Sequence, residues 1–506
     1  MADRNLREFV ARLEKDGRLV RVTEAVSPVL EMTEIQTRLL AEKGPAILFE
    51  NATGEDGRKY DFPILANLFG TVERVAWGLG REPEDLRALG ETLAFMRQPE
   101  PPGGWQEALG MLPMVKSAMA MKSKTTGSAP CQEIVWQGDD IDLTKLPIQT
   151  CWPDEPAPLI SWPLVITRND QIKGDDNFNV GIYRMQVTGK DTTLMRWLKH
   201  RGGAQAYQEA FAQASAKTPE PFPAAVVIGA DPATILAAVA PVPDTMSEFQ
   251  FAGLLRGVKG VLTDCKTVPL KVPAEAEIVL EGHVSMEEYG DEGPYGDHTG
   301  YYNAVEKFPV FKISAITMRR DPIYLSTFTG RPPDEPSVMG EALNELFIPL
   351  FIQQFPEVVD FWLPPEACSY RVAVVSIKKA YPGHAKRIMM GAWSYLRQFL
   401  YTKIVIVVDD DIDTRNWEDV IWALSTRMDP VRDVTLMENT PIDYLDFASP
   451  QPSLGGKMGL DATNKLPPET HRDWGQKIRM SDEVIEKVSD MWDKLGLPGS
   501  GRSIWK

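Results

Sequence analysis

Two apolar runs, RVAVVSI (371–377) and KIVIVV (403–408), show no polar alternation, and a segment of helical pattern, HAKRIMMGAWSYLRQFLY (384–401), lies between them. A strand with one face in water alternates apolar and polar residues. A run without alternation has to be covered on both faces, the condition of a parallel sheet whose crossover helices lie above and below it. This feature alone commits the last third of the chain to an α/β layer. The start reads similarly. Leu6, Phe9, Val10 and Leu13 recur at helical spacing, Gly17 stops that helix, and LVRV opens a strand; AILFEN, FPILANLFG and the helical EDLRALGETLAFMRQ follow. Between these ends the texture changes to short β-branched runs separated by turns: EIVWQG, PLVITRND, NVGIYRMQV, AAVVIGA, AEIVLEGHV and FKISAITMR. Such a series reads as a β-rich barrel or sandwich.

The expected organisation is therefore α/β with three domains: an N-terminal α/β domain over 1–124, a β-rich domain over 125–320, and a C-terminal α/β domain over 321–506. At 506 residues the chain is long enough for about three cores. PEPPGG (99–104) reads as a linker, and the Met-rich WQEALGMLPMVKSAMAMKSK after it as a core or interdomain helix rather than a lipid-tail surface. SDEVIEKVSDMWDKLG closes the chain with a capped terminal helix.

Several functions are disfavoured at once. A net charge of −17 opposes phosphate backbones, which argues against nucleic-acid binding, and it opposes electrostatic adhesion to anionic lipid. Four scattered cysteines and a charged N-terminus without an apolar core point to the reducing cytoplasm. No run is long enough to span a bilayer. There is no GxxxxGK[ST], HExxH, CxxC pair or GxSxG; WGLGRE does not follow a strand as a dinucleotide fingerprint would; and VVDDDID reads as an acidic strand end more readily than as a cation site.

Three polar constellations remain, all in the β-rich middle. DNFNVGIYRMQ places Asn179 and Arg184 five residues apart and is followed by MRWLKHRGG with Arg196, His200 and Arg201. APVPDTMSEFQFAG carries Glu248. DEGPYGDHTGYY (291–302) packs Asp291, Glu292 and Asp297 among turn residues. Each alone is ordinary surface or ion-pair chemistry. Together they offer oxygen and nitrogen ligands for a hard cation, arginines for phosphate or carboxylate, and acids for proton transfer.

NVGIYR, MRWLKHRGG, GADPATILAAVAPVPDTMSE, EGPYGDHTGYYN, TGRPPDEP, GHAKRIMMGAWS and PIDYLDFASP together resemble the UbiD family of reversible aromatic-acid decarboxylases. They are most similar to the branch acting on 4-hydroxy-3-polyprenylbenzoate in ubiquinone synthesis. The resemblance implies a split β-barrel of flavin-reductase type in the middle domain and an oligomerisation helix at the C-terminus. It implies prenylated FMN as cofactor, held with a divalent cation (Mn2+ or Mg2+) and K+. On this likeness Asn179, His200 and Glu248 are the metal set. Ile182, Tyr183, Arg184, Arg196, Trp197, Leu198, Arg201 and Gly202 contact the cofactor. Arg184, Glu292 and Asp297 are catalytic: Glu292 orients Arg184 on the substrate carboxylate, and Asp297 protonates the ring carbon that loses CO2. Asp297 departs from the glutamate carried by the branch acting on cinnamic-type acids.

Direct loss of CO2 from an aromatic ring leaves an sp² carbanion that no side chain can stabilise, so an electron-sink cofactor is required. An acid that donates at neutral pH needs a raised pKa, and burial beside Glu292 is expected to raise that of Asp297. The implied partners are an aromatic acid with a polyprenyl tail, a flavin prenyltransferase that supplies the cofactor, and further copies of the chain. A lipid-tailed substrate implies working at the inner face of the cell membrane. The alternatives are a non-prenylated phenolic or heteroaromatic acid and, in another class, a flavin-binding reductase.

Overall fold

The structure is a computed structural model that describes residues 3–97, 117–169, 172, 174, 177–197, 207–208, 221–240, 242, 246–395, 397–499 and 501–503. The two apolar runs form the centre of a five-stranded sheet ordered Val358–Trp362, Val372–Ile377, Ile404–Asp409, Leu454–Ala462, Val434–Pro441. The three inner strands are parallel and the two outer ones antiparallel to their neighbours. Ala373, Val375, Val405 and Val407 pack with Ile388, Met389 and Trp393 of the helix His384–Tyr395. Val374, Ile406 and Val408 pack on the other face with Val420 and Ala423 of the helix Trp417–Arg427. Both faces are covered, which is why the runs show no alternation.

At the N-terminus, Asn5 caps the helix Leu6–Lys15 by accepting from the Glu8 N–H, and Gly17 (φ +68°) provides the left-handed turn into Leu19–Val22. That strand lies parallel to Ala46–Phe49, which is antiparallel to Ile64–Ala66. The fourth strand of this sheet is Tyr324–Leu325, paired in parallel with Ile64 and Leu65. The core is shared with the middle of the chain; Phe69, for example, meets Trp162 at 5.8 Å between ring centres.

The middle of the chain builds a nine-stranded antiparallel sheet. Its path runs Leu159–Ile160, Met185–Val187, Thr192–Met195, Glu306–Met318, Ile278–Glu292, Phe222–Ile228, Leu164–Arg168, Phe178–Ile182, with Ile134–Gln137 beside the far half of Glu306–Met318. Phe178–Ile182 is the last strand of the path and Met185–Val187 the second, yet only Tyr183 and Arg184 separate them in sequence. Three virtual bonds reach no further than about 11 Å, so the two ends of the sheet must curl towards each other. Among the described residues no strand pairing closes the path. The result is a split barrel with Tyr183 and Arg184 in its seam. The linker and most of the Met-rich segment fall outside the described residues. The terminal helix Asp482–Met491 buries only Ile485, leaving Val484 and Val488 exposed.

Candidate active site

Arg184 leaves the seam with its guanidinium buried and every nitrogen engaged. Nε donates to Glu292 Oε1 at 2.9 Å, Nη1 to Asp297 Oδ2 at 2.9 Å, and Nη2 to Asn303 Oδ1 at 2.8 Å. Its plane lies 5.3 Å from the Tyr295 ring centre. Glu292 ends the long strand Ile278–Glu292 and is fully buried. Its second oxygen accepts from Arg196 Nη1 at 2.7 Å, so one carboxylate serves two arginines. Gly293 (φ +95°) then turns the chain out of the strand, its N–H donating to Gln186 at 3.0 Å. The loop folds back on itself: the Asp297 N–H meets Tyr301 O at 3.1 Å, and the Asn303 N–H meets Tyr295 O at 3.0 Å. This turn points Asp297 back at Arg184. Asp291 faces out, its carboxylate 3.3 Å from exposed Lys307.

The electrostatics of Asp297 overturn one expectation. Burial does push its carboxyl up, but the His298 hydrogen bond and the Arg184 charge outweigh it, and the carboxyl is held well below the usual carboxylate range. The nearest neighbours of Asp297 are cations, not the second carboxylate that the sequence suggested, because Glu292 is itself neutralised by Arg184 and Arg196. Arg184 is raised: burial opposes its charge, but Asp297 and Glu292 more than compensate. Arg196 is lowered by burial and by Arg184.

Residues not singled out from the sequence complete the cluster. His298 Nδ1 lies 2.8 Å from Asp297 Oδ1, and its Nε2 lies 3.5 Å from Asp443 Oδ2. Tyr444 hydrogen-bonds Arg196 through its hydroxyl. Glu155, raised by burial, accepts from the Cys151 N–H at 2.6 Å and the Gly296 N–H at 3.4 Å. His298 and Asn303 sit inside EGPYGDHTGYYN, and Asp443 and Tyr444 inside PIDYLDFASP. Their membership of those motifs was the only signal available.

Of the expected metal set, Asn179 and Glu248 are brought together, and His200 lies outside the described residues. Glu248 opens the helix Glu248–Arg256, capped by Ser247, and its Oε2 accepts from the Val180 N–H at 2.7 Å. Phe249 and Phe178 lock the same two elements edge-to-face, with centroids 6.0 Å apart. The Asn179 amide is buried with Nδ2 lacking a hydrogen-bond partner. An amide turned by half a rotation offers oxygen at that position, so a carboxylate and an unsatisfied amide stand on adjacent elements, a donor set suited to a hard cation. Of the expected cofactor contacts, Ile182 and Tyr183 run into the seam. Trp197 packs on Tyr183, Tyr207 and Phe222, with its Nε1 buried and unpartnered. Leu198, Arg201 and Gly202 lie outside the described residues. In the acidic strand end at 409–411, Arg427 holds Asp409 at 2.6 Å and Asp411 at 2.8 Å, and Lys477 adds to Asp411.

Comparison with known proteins finds one family over nearly the whole chain. The N-terminal, Rift-related and C-terminal domains of the 3-octaprenyl-4-hydroxybenzoate carboxy-lyase family match residues 10–93, 122–332 and 337–462. The closed form of the vanillic acid decarboxylase of Sedimentibacter hydroxybenzoicus is 29% identical with a TM-score of 0.82, covering 98% of this chain and 99% of its own. The UbiD-class enzyme HmfF of Pelotomaculum thermopropionicum, solved with FMN, is 30% identical with a TM-score of 0.77, covering 96% and 98%. A 3,4-dihydroxybenzoic acid decarboxylase of Enterobacter cloacae, at 22% identity and a TM-score of 0.75, shares the fold. The chain belongs to the UbiD family of aromatic-acid carboxy-lyases.

Proposed function

We propose that this chain decarboxylates 4-hydroxy-3-polyprenylbenzoate to 2-polyprenylphenol and CO2 in ubiquinone biosynthesis, with prenylated FMN as cofactor. The observation that carries the reading is Arg184, buried in the barrel seam between Glu292 and Asp297. The family description, which names 3-octaprenyl-4-hydroxybenzoate, supports the substrate. Asn179 and Glu248, with His200, would hold a divalent cation, Mn2+ or Mg2+, and through it the flavin phosphate, with K+ alongside. Ile182, Tyr183, Arg196, Trp197, Leu198, Arg201 and Gly202 would contact the flavin. Bound there, prenylated FMN supplies the electron sink that ring decarboxylation requires.

The chain's own residues bind, orient and move the proton. Arg184 receives the substrate carboxylate on Nη1, the nitrogen that now holds Asp297, while Glu292 keeps its grip on Nε so that the fork does not swing. Losing that cation and gaining a neighbouring carboxylate both raise the Asp297 carboxyl. Asp297 then carries the proton delivered to the ring carbon. The acid starts ionised and becomes a donor only when substrate is present.

A second reading has support from one observation: a 29% identical structure over 98% of the chain is a vanillic acid decarboxylase, so a small phenolic acid fits the same machinery. An evolved dimeric form of HmfF supports a homo-oligomer here, to which the terminal helix would contribute. Among the described residues no helix is long and apolar enough to cross a membrane, so a polyprenyl substrate would be met at the membrane surface. The test is CO2 release by protein co-expressed with a flavin prenyltransferase. The polyprenyl reading expects activity on the prenylated acid at least about tenfold above that on 4-hydroxybenzoate, the discrimination an apolar tail site can supply. Equal rates would favour the small-acid reading, and NAD(P)H oxidation without CO2 release would favour a reductase.

A further inference from the structure

Converting a carboxylate into a C–H bond and CO2 consumes one proton per turnover, and Asp297 as it stands has none to give. Its two oxygens are held by two cations, Arg184 at 2.9 Å and His298 at 2.8 Å. The groups facing His298 come from four elements: Asp297 on its own loop; Asp443, from the segment after the strand Val434–Pro441; Tyr370, ahead of the strand Val372–Ile377; and Asp334, at the cap of the helix Glu335–Gln354. Asp443 Oδ2 already accepts from the Tyr370 hydroxyl at 2.7 Å and lies 3.3 Å from Arg371 Nη2. His298 Nε2 is buried, 3.5 Å from that oxygen and without a hydrogen bond. The ring is therefore held between two carboxylates, the more distant one on Asp443 and, through a short hydrogen bond, that of Asp297.

We propose that His298 is the proton store that recharges Asp297 in each turnover, acting through Asp297 rather than on the substrate, with Asp443 keeping the ring charged. The proposal rests on the reading of Asp297 as the donor. When the substrate carboxylate takes Arg184 Nη1, the Nδ1–H bond of His298 breaks and an O–H bond forms on Asp297 Oδ1. The N–H electron pair stays on Nδ1, and the neutral imidazole keeps its remaining proton on Nε2, facing Asp443. Asp297 passes its proton to the ring carbon, and the partly exposed His298 ring takes a replacement from water. Consistent with a filled store, burial alone would lower the imidazole, but Asp297 and Asp443 push it up to about 9.

The test has two arms. In protein labelled at histidine 13Cε1, five resonances are expected, and the one lost in His298→Gln identifies the ring. It should titrate near pH 9 in the wild type and about one unit or more lower in Asp443→Asn. Titration near the ordinary 6.5 in the wild type would overturn the proposal. In the kinetic arm, kcat/KM, which reports the free enzyme, should hold to pH 8 and fall above about 9, and the limb should move down with the titration in Asp443→Asn. His298→Gln should lose about 10- to 100-fold in kcat with KM and bound flavin unchanged. An unchanged profile in both variants while the wild type releases CO2 would overturn the role of His298 alone. A wild type that releases none would overturn the decarboxylase reading itself.

Discussion

Asp297 and Glu292 lie five positions apart on one turn, yet their surroundings assign them opposite tasks. Glu292 is fully buried and shared by Arg184 and Arg196, so it is a fixed counter-charge. Asp297 meets Arg184 at the very nitrogen a substrate would take. Asp297→Asn is therefore expected to lower CO2 release by about 10²-fold or more while flavin retention, read from the absorbance spectrum, is unchanged. Turnover within a few-fold of wild type would refute its role as donor. Glu292→Gln should also lower turnover, with the loss appearing in KM as well as kcat, because Arg184 would lose the partner that aims it; a kcat-only effect would argue against an orienting role. At this scale the motif residues were legible, but the charge balance was not. Arg184 is 113 residues from Asp297, and His298, though adjacent, is raised in part by Asp443 from another sheet's neighbourhood, so local spacing showed two acids and hid the charges that balance them.

Glu248 owes its place to a cap. Ser247 accepts the Phe249 N–H and Gln250 reaches back to the Ser247 N–H, which fixes the first turn and sets Glu248 against Val180. Ser247→Ala should cost about 1 kcal/mol of stability. Glu248→Gln should leave the melting temperature nearly unchanged in metal-free buffer yet reduce bound metal and flavin, measured by elemental analysis and absorbance. Undiminished metal in Glu248→Gln would remove it from the ligand set. The elements themselves were the most legible part of the sequence. The runs RVAVVSI and KIVIVV became inner parallel strands, since burial on both faces writes itself into composition. NVGIYRMQV, by contrast, read as one run but forms two strands at opposite ends of the sheet path. Periodicity reports which residues are extended and says nothing about which neighbour they pair with.

Across the whole molecule, His298 ties the central loop to the segment carrying Asp443 and Tyr444, and the tie depends on pH. The imidazole is raised in the folded state, so its contribution is full below its ordinary 6.5 and lost as pH rises through about 9. Asp297 and Asp443 are depressed, the latter to about 2, so their contribution is full above their ordinary 3.8 and lost as pH falls. The melting temperature of the wild type should therefore exceed that of His298→Gln most clearly between about pH 4 and 6.5, with the gap closing above 9. A gap independent of pH would mean that packing, not charge, holds the two regions together. Tyr324–Leu325 has a different consequence, one of timing. During synthesis the slot beside Ile64–Ala66 stays open until some 260 residues later in the chain, leaving an apolar edge unpaired while the barrel is made. A nascent chain stalled before residue 324 should be cut readily by protease within its first hundred residues, and one released beyond 332 should resist. Equal resistance would show that the first three strands hold without the fourth.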